Sequence, residues 1–503
     1  MPLMTAPRSG VKVRMYRQGH GDCFLLAFRG SGRKPSYMLI DCGYKPGSSV
    51  HAPIAAIVDD IAASTGGFID AIVITHEHQD HVNGIWKRGT PYFHGITCGE
   101  AWFAWTEDST DALANELRIR HRDQLLGLVA ARHRLAAAGD SEAVGRLDGL
   151  LSLELGTDDV SEFSAAAGDP SRSINKQSMK LVKDRARDGV RYVSPHGEIL
   201  VPPRVRTVRV FALGPPRDPD LIADEDPKGP ESFPGDAGFG GRPSFLAAAR
   251  SSGGEADQPF ARRFGIPMPR ALGPDDPAAH AFFHAHYGSA PDGRPGPRPP
   301  EPAEVPDAAP FRRIDGEWLH ASEDLALSLN RGINNTSLVL AFELRRSRKV
   351  LLFAADAQRG NWLSWTSGSW QDGGQLVTAR DLLARTVLYK VGHHGSHNAT
   401  LHGTSGDDYP NLGWMAHGPY GREFTAMITA VSGWAYRQQP VWAHPLPSIK
   451  EALLRKTAGR VFQTDTDTIT KPDDATTAEW RSFSRATKIT PLYFEYTVRD
   501  SLV

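Results

Sequence analysis

Cysteine is scarce. Cys23, Cys42 and Cys98 are the only three in 503 residues, too few for a disulfide framework, and none stands in a C-x-x-C pair. Long apolar runs are missing as well: nothing approaches the roughly 18–20 consecutive apolar residues of a membrane helix. The opening "MPLMTAPRSGVKVRMY" has no apolar leader core and passes directly into alternation, so the expectation is a cytoplasmic protein without a membrane partner. Charge of one sign is also lacking. The 57 Lys and Arg nearly balance 58 Asp and Glu, so any contact with nucleic acid would need a local patch. No internal repeat is visible. What is present is an ordinary globular composition, on a chain long enough to bury a substantial core.

The first hundred residues alternate in short strands and turns. "VKVRMYR" (11–17), "CFLLAFRG" (23–30) and "YMLIDCG" (37–43) read as strands, "APIAAIVDDIAAS" (52–64) as a helix, and "FIDAIVIT" (68–75) as a buried strand. That order is an α/β signal. From about Asp111 the spacing of Leu113, Leu117, Leu128 and Leu135 is helical, and a second charged helix covers 174–187. "VRTVRVFALGPP" (205–216) resumes the strands, whereas 217–312 is rich in Gly, Pro and Asp and forms a poor core. "NNTSLVLAFEL" (334–344), "KVLLFAADA" (349–357) and "RTVLYKVGHHGS" (385–396) return to core strands, and "FTAMITAV", "SIKEALLRKT" and "RVFQTDTD" close the α/β pattern. The reading is a single α/β domain over 1–503 carrying a helical insertion at 101–200 and a Pro/Gly-rich, partly irregular one at 217–325.

Chemistry concentrates in "VITHEHQDHVNG", Val73 to Gly84. On an extended segment residues i and i+2 share a side, so His76 and His78 present two imidazoles together as the strand runs out. Asp80 and His81 follow once a turn begins and address a second point nearby. Imidazole and carboxylate together suit Zn²⁺ and other borderline divalent ions.

This H-x-H-x-D-H loop resembles that of the metallo-β-lactamase-fold hydrolases. "LIDCG" is similar to the family's early strand ending in a supporting Asp (Asp41), "LLFAADA" to the strand ending in a bridging Asp (Asp356), and "VLYKVGHHGS" to the last ligand loop. More narrowly, "GHGDCFLL", "NNTSLVL", "HHGS" and "HPLPSIKEALLRKTAGRVFQTD" resemble the soluble domain of ComEC-type competence proteins, with phosphorylcholine esterases in the same neighbourhood. The likeness spans about 11–90, 205–216 and 334–470 and leaves both insertions unexplained.

The resemblance implies an αββα four-layer sandwich and two divalent ions. His76 and His78 would hold the first ion, Asp80, His81 and His393 the second, with Asp356 between them; His394 is the alternative to His393, or a proton donor. The family's further ligand histidine is missing, because "VRVFALGPP" ends in Gly214-Pro215-Pro216; His94, His196 and His286 are substitutes that spacing does not favour, and a weaker site finished by water, or a preference for Mn²⁺, is equally open.

Two such ions, roughly 3.5–4 Å apart, would lower the pKa of a shared water and clamp a phosphoryl or carbonyl oxygen. The expected reaction is therefore hydrolysis by metal-bound hydroxide, of a phosphodiester, with nucleic acid as one such substrate. Asp80, His394 and Lys390 are expected to take part in the chemistry. Ser396 and the Gly395 amide can add phosphate contacts, and His397 is a second proton donor. Asn334 and Asn335 line the site or cap a strand, while Asp22, Asp41 and His444-Pro445 support it.

Two rival readings differ in kind: hydrolysis of a small ester, thioester or lactam, and a degenerate scaffold that binds a partner and turns over nothing. A basic strip in the first insertion, including Lys176, Lys180, Lys183, Arg185 and Arg187, is either a track for a phosphate backbone or a solvated helix face.

Overall fold

A computed structural model describes residues 3–32, 34–87, 90–137, 141–157, 159–234, 277–278, 281, 332–438, 441–473 and 475–502. The chain divides into two units. The first comprises Met1–Asp123, Asp148–Phe239 and Leu327–Val503; the second comprises Gln124–Leu147 and Gly240–Ala326. The described part of the second unit is mainly helical. Most of the Pro/Gly-rich insertion expected at 217–325, with His286, lies outside the described residues.

The first unit is mixed α/β, with two large sheets. The strands of these two sheets are β1 (Gly10–Tyr16), β2 (Cys23–Arg29), β3 (Pro35–Cys42), β4 (Phe68–Ile74), β5 (Thr97–Ala104), β6 (Ala186–Val193), β7 (Val208–Gly214), β8 (Val339–Leu344), β9 (Val350–Phe353), β10 (Thr386–Lys390), β11 (Thr425–Ile428), β12 (Val461–Gln463), β13 (Thr487–Ile489) and β14 (Tyr493–Arg499). One sheet runs β13-β14-β1-β2-β3-β4-β5-β6 and the other β12-β11-β10-β9-β8-β7. In each, an antiparallel part gives way to a parallel part, β3 to β6 in the first and β9 to β12 in the second.

Alternation along the strands decides which sides meet. Val11, Val13, Phe24, Leu26 and Phe28 share one apolar core with Val208, Val210, Phe342, Leu351 and Phe353 of the other sheet. Phe24 meets Phe353 edge-on at 5.4 Å between centroids, and Phe28 stacks on Phe342 at 6.2 Å. Residues of opposite parity face outwards. Leu25, Leu39 and Ile72 pack on Ile54, Ile57, Val58 and Ile61 of α1 (Ile54–Thr65), an i, i+3, i+4, i+7 stripe. Gly66, at φ 68°, ends that helix by donating its N–H to Ala62 O. Across the other sheet, Phe211, Leu352 and Tyr389 pack on Trp362, Leu382, Ile449 and Leu453.

The expected strands and α1 are present, with ends shifted by a few residues. The stretch read as a helical insertion, 101–200, contains helices Ala112–Ala137, Ser141–Leu155 and Ile174–Arg185, but it also carries the end of β5 and all of β6 within the first sheet. β6 is a mostly exposed edge strand with Arg187, Asp188, Gly189 and Arg191, which is why it does not read as one. Among the described residues no helix is long and apolar enough to cross a membrane.

Candidate metal centre

The parallel strands deliver the site residues at their carboxyl ends, where α/β sheets characteristically bind ligands. β3 ends at Asp41 and its parallel neighbour β4 runs on into Thr75–His78. A short helix, α2 (Gln79–Val82), then carries Asp80 and His81. In the other sheet β9 leads to Asp356, and β10 ends at Lys390, just before His393 and His394. Main-chain bonds join these ends: Leu338 N–H donates to Thr75 O (3.0 Å), Asp22 N–H to Asp80 O (3.0 Å) and Gly43 N–H to Asp22 O (2.9 Å). Asp41, Ala355, His393 and His394 all have left-handed backbones, at φ 53°, 48°, 39° and 54°. Such strain persists only where its surroundings enforce it, and it gathers at functional sites.

Each imidazole is bonded on its outer nitrogen. His76 Nδ1 donates to Thr75 Oγ1 (3.2 Å), and His78 Nε2 to Glu154 Oε1 (3.0 Å). His81 Nδ1 donates to Asp41 Oδ2 (2.8 Å), and His394 Nδ1 to Thr429 O (3.1 Å). The opposite nitrogens converge. His76 Nε2 is 3.1 Å from His78 Nδ1, and Asp356 Oδ2 lies 4.0 Å from His76 Nε2, 3.1 Å from His81 Nε2 and 3.4 Å from His394 Nε2. Asp80 Oδ2 is 3.0 Å from His394 Nε2.

Two ligands on one tetrahedral ion with bonds of about 2.0–2.2 Å stand about 3.3–3.6 Å apart, so these separations suit a cation. Buried His81 Nε2 and Asp80 Oδ1 have no aligned hydrogen-bond partner among the described residues, which an ion would supply. The donor set therefore fits a divalent metal. Asp22, His81, Asp356 and His394 also have ligand atoms within 4.8 Å of one another. Asp22, however, approaches the outer nitrogens, 3.9 Å from His81 Nδ1 and 3.8 Å from His394 Nδ1, so we read it as a counter-charge behind the rings.

Charge gives a second argument. Asp22, Asp41, Asp80 and Asp356 are all buried, and the buried ammonium among them is that of Lys390, 2.5 Å from Asp22 and 3.5 Å from Asp356. Buried carboxylates in such excess call for further positive charge. Burial alone would lower the pKa of His394, but Asp356 and Asp80 outweigh it and raise it to about 9. His81 is raised well above the usual histidine range against the same burial, chiefly by Asp356. The cluster holds protons on two imidazoles where a metal would replace them.

His76, His78, Asp80, His81 and Asp356 thus come together as the sequence suggests, but the two histidines of "HHGS" are placed the other way round. His394 joins Asp80, His81 and Asp356, while His393 turns to Ser396 Oγ (2.7 Å), Asn398 Oδ1 (3.3 Å) and Asn334 Nδ2 (3.2 Å). The left-handed backbone at both residues directs the second ring, rather than the first, into the cluster. Burial pushes His393 down to about 4, leaving it neutral at the partly exposed edge of the site. Lys390 lies among carboxylates instead of facing a substrate.

Asn335 is structural, donating to Ile222 O and Asp224 O and accepting from Gln358 N–H. His397 is bonded to Asp226 (3.0 Å). Gly395 explains why "HHGS" and "HPLP" occur together. Its carbonyl accepts from Leu446 N–H (2.8 Å), and a β-carbon there would press on Pro445.

No described histidine completes the shell of His76 and His78. A β-carbon at Gly214 would overlap the side-chain amide of Asn361, so the end of β7 has no room for a ligand. His94 is exposed, and His196 packs against Trp370. Three contributors were missed by sequence: His20, whose ring lies 4.4 Å from His394 and stacks on His444 at 5.3 Å, and the pair Glu154 and His121. His20 lies inside the quoted "GHGDC", but Glu154 and His121 sit in helices with no local signature. Much of the basic strip is neutralised internally: Lys176 pairs with Glu77, Lys180 with Asp184 and Lys183 with Glu107. Comparison with family models and with curated proteins finds no match, so the chemistry of this centre is read from its own side chains.

Proposed function

We propose that the chain is a cytoplasmic metal-dependent hydrolase of the metallo-β-lactamase type, with its helices and two sheets stacked as a four-layer αββα sandwich, acting on a phosphodiester. The observation that carries this is the polarity of the imidazoles: four outer nitrogens are bonded to protein, while the inner ones of His76, His81 and His394 converge around Asp356 and that of His78 lies beside His76. His76, His78 and Asp356 would hold one divalent ion, and Asp80, His81, His394 and Asp356 the other, Zn²⁺ or Mn²⁺. When bound, such ions supply a water of lowered pKa and stabilise charge developing on a phosphoryl oxygen.

The chain's own residues do the rest. Asp41, Thr75 and Thr429 fix the ring tautomers, and Lys390 offsets the charge of Asp22 and Asp356. His393 and His444, with ring centroids 5.3 Å apart and both partly exposed, stand at the rim as neutral imidazoles, where they can hydrogen-bond a bound substrate. The preference for a phosphodiester rests on the "HHGS" and "NNTSLVL" motifs. The internal pairing of the basic strip favours a small diester over a nucleic-acid polymer.

The test is hydrolysis of bis-p-nitrophenyl phosphate and of p-nitrophenyl acetate with Zn²⁺ or Mn²⁺. Turnover of the diester that falls at least about a hundredfold in Asp80→Ala is expected. Turnover of the acetate alone would move the assignment to ester hydrolysis, and no Asp80-dependent turnover of either would remove it.

A further inference from the structure

The helical segment between β5 and β6 reaches a ligand histidine of the centre through Glu154. Glu154 Oε1 accepts from His78 Nε2 at 3.0 Å, and Glu154 Oε2 lies 3.2 Å from His121 Nε2. Glu154 is 4% exposed, so its carboxylate is satisfied by these imidazoles rather than by bulk water. Its position is fixed from behind. Helix Ser141–Leu155 stops at Gly156, where φ is 73°, and its final carbonyls are tied down. Asn175 Nδ2 donates to Leu153 O and Glu154 O, both at 3.0 Å, and Ser173 Oγ donates to Leu155 O at 3.3 Å. A β-carbon at Gly156 would overlap Asn175, so the small residue there permits that approach.

We propose that Glu154 is a positioning residue for the metal held by His76 and His78, and that His121 orients it. A carboxylate on the outer nitrogen of a ligating imidazole fixes the tautomer and raises the ring's basicity. With the proton on Nε2, His78 offers Nδ1, the atom that faces His76 Nε2 at 3.1 Å. A shell that lacks a third imidazole gains most from this, because each remaining ligand must be held in register. The insertion thereby compensates at His78 for the ligand that the end of β7 has no space to provide.

This inference rests on the metal reading above, and the experiment separates the two. Metal-free protein is titrated with Zn²⁺ against a chromophoric chelator, and bound metal is counted by mass spectrometry. Wild type is expected to take up two ions. Glu154→Ala should bind one of them about 10- to 100-fold more weakly and the other unchanged. Glu154→Gln, which keeps an acceptor oxygen but not the charge, should fall between, and it carries the test if the alanine variant does not fold. His121→Ala should show a smaller loss at the same ion. A wild type that binds no ion overturns both readings. Two ions in wild type, with affinities unchanged in both Glu154 variants or weakened equally at both ions, overturns this one alone.

Discussion

Without a bound ion, the buried histidines of the centre titrate in opposite directions. His81 and His394 have folded-state pKa values above the ordinary 6.5, because neighbouring carboxylates outweigh burial. Their contribution to stability is full below the unfolded value and is lost as pH rises, for His394 through about 9. Burial holds His20, His76, His393 and His444 below 6.5. Their contribution is present above that value and is lost as pH falls, for His393 through about 4. The two slopes put the maximum of these histidines' joint contribution to the metal-free protein near pH 6.5. Urea unfolding in excess chelator at about pH 5, 6.5 and 9 should give the highest midpoint in the middle; a midpoint that rises steadily to pH 9 would contradict these assignments.

At this scale the ligand types were legible, since H-x-H-x-D-H brings four donors within six positions at a strand end. Which histidine of "HHGS" turns inward was not, because that depends on φ at His393 and His394. Nor was the burial of Lys390 between two carboxylates brought in from β2 and β9.

The elements that matter most are the loops where strands end, and they are packed backbone on backbone. A β-carbon at Gly43, just after β3, would overlap the main chain of Asp80 and His81 at the start of α2. Gly43→Ala must therefore push the metal loop away, and it should cost about 1–3 kcal/mol in urea unfolding and weaken metal uptake. Gly32→Ala, where a β-carbon meets nothing within 4 Å, serves as the neutral control. Equal behaviour of the two variants would show that the loop does not depend on this contact.

Strands with clean alternation, such as β2 and β4, were readable because one parity had to face a core. β5 was not: Gly99 and Glu100 interrupt it, and its pairing with β4 and β6 is a tertiary fact. The C-terminal strands β13 and β14 do not announce themselves although "YFEYTVR" alternates, because nothing local says that β14 pairs with β1 some 480 residues earlier.

For the molecule as a whole, two sheets built from distant segments bring residues 76–81 against residues 356–394, and a helix between β5 and β6 adds Glu154. The first juxtaposition was legible as motifs. The second was not, since one polar residue of a helix reads like any other until its neighbour is known. On this reading these parts form one centre for two divalent ions, with Asp356 between them. The most direct measurement is the metal-to-protein ratio after incubation with Zn²⁺ or Mn²⁺ and exhaustive dialysis. About two ions per chain are expected in wild type, about one in His394→Ala and neither firmly held in Asp356→Ala. A folded wild type that retains no ion, or an Asp356→Ala variant that retains both, would contradict it.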